Sequence, residues 1–198
     1  MQRNRIGIAL ALGIALATAG CGSSTSPSTP EGAYASFKAA FDAKDWDNVY
    51  ARLTEDSLNG LGGMMIRVTK REVDMSGDGA RQESFYAVLT EHGLNPDDVT
   101  FELVMDPAVI KESAFAIMEP VENKSALVAD VVRWLIANNP DEADRYAEMT
   151  TGELTKVTVN EAGDVATCTV SQTDDEATAE TQIEMHKVNG EWFIHMPM

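Results

Sequence analysis

Apolar residues recur at helical spacing through most of the chain and switch to strict alternation in its C-terminal part. Tyr34, Phe37, Ala40 and Phe41 fall on one helical face. Asp45 stands where it can N-cap a second helix, with Trp46, Val49, Tyr50 and Leu53 at i, i+3, i+4 and i+7. The join between the two is short, so they should pack antiparallel or sharply bent. A third helical stretch begins near Thr54 and runs through Met64, Met65, Ile66 and Val68 to about Val73. Gly60, Gly62 and Gly63 either weaken its start, by about 1 kcal/mol each relative to alanine, or let another backbone approach closely. Residues 74–80 read as a loop. Residues 83–92 read as a helix, with Gly93 as its left-handed stop. Residues 100–105 suggest a short strand broken by Asp106-Pro107, and residues 113–118 are ambiguous. Residues 123–138 carry the strongest helical stripe, Leu127, Val131, Trp134 and Leu135, and Pro140 follows its end. A shorter helix is expected over residues 141–149.

From Glu153 the period becomes two. Residues 154–159, 164–172, 179–188 and 191–196 read as four strands. Asn189-Gly190 is the best hairpin signal, a two-residue type I′ turn. That turn sets a register in which Val188 faces Glu191, Lys187 faces Trp192, His186 faces Phe193, Met185 faces Ile194 and Glu184 faces His195. Ile183, Met185, Trp192, Ile194 and Met196 then share one face. Glu184, His186, Phe193 and His195 share the other. Helices first and a strand meander last predict an α+β fold, N-terminal helices packed on a curved antiparallel sheet of about four strands.

The N-terminus follows neither pattern. Arg3 and Arg5 precede an uncharged run of apolar and small residues, 6–19, which is too short for the roughly 20 residues of a membrane-spanning helix. It ends in Ala17-Thr18-Ala19-Gly20-Cys21. This is similar to the lipobox of exported bacterial lipoproteins, with Thr18 where leucine is commonest. The resemblance implies a signal peptide over 1–20, cleavage between Gly20 and Cys21, and lipid on the Cys21 thiol, a diacylglycerol often joined by an acyl chain such as palmitate. An ordinary secretory cut after Ala19 is the alternative, and leaves Cys21 a free thiol. Gly22 in place of an aspartate favours the outer membrane over the inner one if the host has both, facing the periplasm or the surface.

Charge narrows the partners. Loss of residues 1–20 removes Arg3 and Arg5 and no acid, taking the formal charge from −17 to −19 (13 basic against 32 acidic residues). Such a surface repels nucleic acid and anionic lipid alike, so attachment to a membrane falls to the lipid on Cys21. Residues 22–30, GSSTSPSTP, have no apolar side chain to bury and read with Cys21 as a tether over 21–30. The remaining domain, 31–198, is large enough to bury roughly 70% of its unfolded surface without staples. Only Cys168 is left after Cys21, so no intramolecular disulfide survives lipidation.

The helix pair Glu31-Gly-Ala-Tyr34, Phe41 and Asp45-Trp46, with Tyr50 and Leu53, resembles the opening of the NTF2-like superfamily, as it occurs in small exported lipoproteins. Gly152-Glu-Leu154 and the closing Gly190-Glu-Trp192-Phe-Ile194 resemble its strands. The resemblance implies a cone of helices wrapped by a curved sheet. Enzymes of that superfamily place acids, histidine or tyrosine inside the cone. No matching catalytic motif occurs in this chain, and the long helical middle, 106–151, departs from the smallest members.

The candidate chemistry is correspondingly thin. Glu184 and His195 face each other across the hairpin, beside His186 and Phe193. They are candidates for acid–base work, for a solvated pair worth roughly 0.2–1 kcal/mol, or for a dimer surface on the outer sheet face. Asp74-x-Ser76-x-Asp78-Gly79 begins like a calcium loop but has Phe85 where the bidentate glutamate belongs. The acid clusters Asp97-Asp98, Asp141-Glu142 with Asp144, and Asp174-Asp175-Glu176 suit loops and helix starts. His92 is expected to cap a helix and Cys168 to pack as a small hydrophobe. The sequence names no metal set, no cofactor and no catalytic residue. It favours a membrane-anchored, non-enzymatic domain whose cone binds a small apolar ligand or serves a partner protein. The alternative is a lyase, isomerase or hydrolase with an acid–base pocket inside the cone.

Overall fold

The computed structural model describes residues 26–101, 106–173 and 178–197. Gly20 and Cys21, most of the strand expected over 100–105, and the acids at 174–176 lie outside them. Helices α1 (Pro30–Asp42), α2 (Trp46–Tyr50), α3 (Glu55–Ser76), α4 (Gly79–Glu91), α5 (Pro107–Met118), α6 (Lys124–Asn138) and α7 (Pro140–Glu148) precede strands β1 (Glu153–Val159), β2 (Val165–Thr173), β3 (Thr178–Val188) and β4 (Glu191–His195). The strands form one antiparallel meander, β1-β2-β3-β4. The architecture is α+β, as the change of period predicts.

Capping explains most of the helix starts. Thr29, Thr54, Asp78, Asp106 and Asn123 each accept a backbone N–H of the helix that follows, which satisfies a donor the helix itself cannot. Two boundaries differ from expectation. The loop over residues 74–80 shrinks to Gly77-Asp78, because α3 runs on to Ser76, Gly77 supplies the left-handed stop at φ 69°, and Asp78 caps α4. Asp74 is therefore helical, and its carboxylate takes hydrogen bonds from Lys70, Gln82 and Tyr86, which leaves no calcium loop. The second helix stops at Tyr50, so Leu53 is not on it. Leu53 instead forms a parallel bridge beside Ile194.

The core runs without a break from helices to sheet. A chain of rings, Tyr34, Phe37, Phe41, Trp46 and Tyr146, joins α1 to α2 and α7, with centroids 6.3, 5.8, 5.7 and 5.4 Å apart. Helix α6 is the hub: Leu127, Val128, Ala129, Val131 and Val132 are all buried, and Trp134 Nε1 donates to Ser84 Oγ at 3.0 Å. Helix α3 crosses α5 at Gly63, where a Cβ would overlap the backbone of Ala114. Close approach, not helix weakening, is thus the role of that glycine. Arg67 is buried on the same helix, donating to Ser113 and lying under the Phe101 ring.

The hairpin register is the one Asn189-Gly190 dictates, pair by pair from Val188↔Glu191 to Glu184↔His195. Both turn residues have positive φ, 52° and 90°, as a type I′ turn needs. Ala166, Cys168, Met185, Trp192 and Ile194 fill the inner face against the helices. The free edge of β4 is covered. Trp192 N donates to Pro27 O at 2.8 Å, Ile194 N to Arg52 O at 2.9 Å, and Ile194 O accepts from Thr54 N at 2.9 Å. The folded domain therefore takes in Pro27 and the Thr29 cap, from the end of the segment read as tether. At the other edge, β1 carries a register shift between Leu154 and Lys156, a common way to blunt an exposed edge.

Candidate functional site

Glu184, His186, Phe193 and His195 do share the outer face of the β3–β4 hairpin. Their surroundings are not those of an open sheet. Because residues 52–54 lie along β4, the first turn of α3 stands beside that face and makes the second wall of a groove of about 530 Å³. Phe193, Val188 and the two imidazoles form one side; Leu53, Thr54 and Leu58 form the other, with Glu55 and Asp56 at the lip.

The polar groups at its floor, His186, His195 and Thr54, are interlocked with Glu184 and Ser57 beside it. The His186 and His195 rings stack, with centroids 4.2 Å apart and planes 12° from parallel. The Glu184 carboxylate is hydrogen-bonded to His186 Nε2, two residues along the same strand. His195 Nδ1 shares a hydrogen bond with Thr54 Oγ1 at 3.1 Å. Thr54 Oγ1 lies 2.7 Å from Ser57 Oγ, which in turn accepts the Met196 N–H at 2.8 Å. The expected partners thus change. Glu184 sits opposite His195 in the ladder, but its side chain engages His186, and His195 turns to α3.

Thr54, Ser57, Leu53 and Leu58 are the part of the site that sequence reasoning missed. Thr54 is legible as a helix cap, but nothing local shows that it meets a histidine 141 positions away.

The inner side of the sheet offers far less. A hollow of about 220 Å³ there is bordered by Tyr34, Phe37, Val170 and Ile183. Tyr34 donates to Gly152 O at 2.8 Å, and burial with nearby Glu153 and Asp42 pushes its hydroxyl up to about 12. Burial, aided by Glu31, pushes the Cys168 thiol up to about 11. Both groups stay protonated at neutral pH, so neither is poised for proton transfer there.

The remaining candidates are spent structurally. His92 is the C-cap of α4, as expected, and its Nε2 lies 2.9 Å from Asp130 Oδ2. Burial alone would raise the Asp130 carboxyl, but hydrogen bonds from His92 and Arg133 hold it below the usual carboxylate range. Asp97 and Asp98 sit in a short turn of 3-10 helix, and Asp141 and Glu142 in the first turn of α7, where acids complement the helix dipole. Cys168 is fully buried between Ala166 and Val170. Compared with protein-family models, with curated proteins and with solved structures, the chain matches none.

Proposed function

We propose that this chain is a lipid-anchored protein of the bacterial cell envelope, with an NTF2-like domain that binds a small apolar ligand or an apolar segment of a partner in the groove between β4 and α3. One observation carries the binding half of this reading. The largest open concavity described above is walled by Leu53, Leu58, Val188 and Phe193 and floored by a few convergent polar groups, the composition typical of ligand sites. The sheet's inner face is taken up by Met185, Trp192 and Ile194. An acid–base enzyme in the cone needs at least two titratable groups converging there. Tyr34 and Cys168 serve that purpose poorly, since burial keeps both neutral. The anchor half rests on the sequence of residues 1–21.

Titration with the neutral fluorophore N-phenylnaphthylamine tests the groove. The domain lacking residues 1–21 should show saturable fluorescence enhancement, and Phe193→Ala should weaken it roughly tenfold, the equivalent of about 1.4 kcal/mol of lost apolar contact. Saturable binding that is indifferent to Phe193→Ala would place the ligand elsewhere. No binding of any apolar probe would remove the support for a ligand groove.

A further inference from the structure

Where the groove meets a neighbouring hollow of about 400 Å³, with His195 shared between them and Glu184 on the far side, the polar groups do more than orient a ligand. Glu184, His186 and His195 each present one ligand atom, and the three atoms lie within 4.8 Å of one another. The hairpin register makes this possible. Residues 184 and 186 point the same way along β3, and His195 lies directly across from Glu184. Two imidazoles and a carboxylate on so small a patch, half open to water, is a donor set that an ion can close on once the stacked rings of His186 and His195 turn out of parallel, so that their nitrogen lone pairs converge.

We propose that Glu184, His186 and His195 form a solvent-open site for a divalent transition-metal ion such as Zn²⁺. The site deepens the groove reading and rests on it, because it gives the groove a cation as an occupant.

Three features set the class of ion. The donors are two nitrogens and one oxygen, which suit zinc, copper or nickel; calcium and magnesium prefer oxygen throughout. Three protein ligands leave a coordination position for water or a ligand in the groove, the pattern of an exchangeable or reactive site rather than a closed structural one. The surroundings favour a cation, since Asp56 stands at the lip and the whole chain carries a formal charge of −17, although the neighbouring Glu55 is already paired with Lys124. The Thr54 hydroxyl adds an outer-shell contact. It engages Nδ1 of His195, which orients the ring and leaves Nε2 to bind the ion. On binding, the hydrogen bond between Glu184 and His186 is exchanged for bonds to the metal.

The experiment is calorimetric titration of the full chain, purified in detergent and stripped with a chelator, with Zn²⁺. One ion per chain is expected. His186→Ala and His195→Ala should each weaken binding by more than the roughly 10–100-fold that loss of an outer-shell partner costs. Glu184→Gln, an exposed and nearly isosteric change, should weaken it as well and guards against misfolding of the histidine variants. With Cu²⁺ in place of Zn²⁺, electron paramagnetic resonance should show coupling to two imidazole nitrogens, and to one in either histidine variant. Absence of stoichiometric uptake overturns the proposal. So does wild-type affinity in the His186→Ala/His195→Ala double variant. The metal titration and the apolar-probe titration are independent, so a failure of one is distinguishable from a failure of the other.

Discussion

Replacing Gly63 by alanine should destabilise the fold, although alanine is the better helix former by about 1 kcal/mol. A Cβ at Gly63 would meet the backbone of Ala114, with its carbonyl carbon at 2.6 Å and its Cα at 2.7 Å, where ordinary contact starts at 3.4 Å. The Ala114 carbonyl oxygen stands nearer still, so the deficit is at least about 0.8 Å (3.4 less 2.6), and backbone cannot rotate out of the way. Helix α5 must therefore lift off α3. A gap of that size forfeits about a quarter to a half of each dispersion contact across it. Ala114, Ile117 and Met118 are the buried residues of α5 that stand to lose contacts. Overpacking of this severity costs about 2–3 kcal/mol. After the gain of about 1 kcal/mol in helix propensity, a net loss of about 1–2 kcal/mol is left. For a domain of this size that lowers Tm by roughly 2–8 °C. Gly62 is the internal control. Its Cβ would meet Val128 Cγ2 at 2.7 Å and Met118 Cε at 2.9 Å; the methionine can turn aside but the buried, β-branched valine yields less, so Gly62→Ala costs something too, though less than a clash with backbone. Urea unfolding followed by circular dichroism on wild type, Gly62→Ala and Gly63→Ala should rank Gly63→Ala lowest. If Gly63→Ala is as stable as wild type, or if Gly62→Ala is the worse of the two, the close crossing of α3 and α5 is wrong.

Three further outcomes are expected. Cys21→Ser should move the protein from the membrane to the soluble fraction, since an acidic domain has no charge-based hold on anionic lipid; a variant that stays with the membrane refutes the anchor. Burial raises the Cys168 thiol from 9.0 to about 11, so the unfolded chain loses this proton first as pH rises. The contribution to stability is whole below about pH 9 and is lost towards pH 11; the buried Tyr34 adds its own loss above about pH 10, so urea midpoints should fall across that window more steeply in the wild type than in Cys168→Ala. In the domain lacking residues 1–21, iodoacetamide should label Cys168 slowly when folded and fast in urea; rapid labelling of the folded domain would contradict its burial.

The sequence by itself determined the elements whose signals are local. Asn189-Gly190 specified the hairpin and every pair in it, because a two-residue turn leaves one register and the apolar face has one side to bury. Stripes such as Leu127, Val131 and Trp134 specified α6, because burying a helix demands that spacing. Thr54 and Asn123 marked helix starts, because a hydroxyl or amide there satisfies orphan backbone donors. What failed also failed locally. Leu53 continues the stripe of α2 yet leaves the helix, since pairing beside Ile194 covers the open edge of β4. Asp74 and Ser76 look like loop residues yet extend α3, whose inner side is held by Val73 packing in the core. The site was half legible. Alternation put Glu184, His186, Phe193 and His195 on one face, and their chemistry drew notice to them. Only the tertiary structure turned that face from open sheet into groove wall. It brought Thr54 to His195 and swung the Glu184 carboxylate onto His186 instead of the residue across the ladder. Periodicity encodes which way a side chain points. It carries no information about what arrives opposite from a distant part of the chain, and that encounter is what turned the face into a groove.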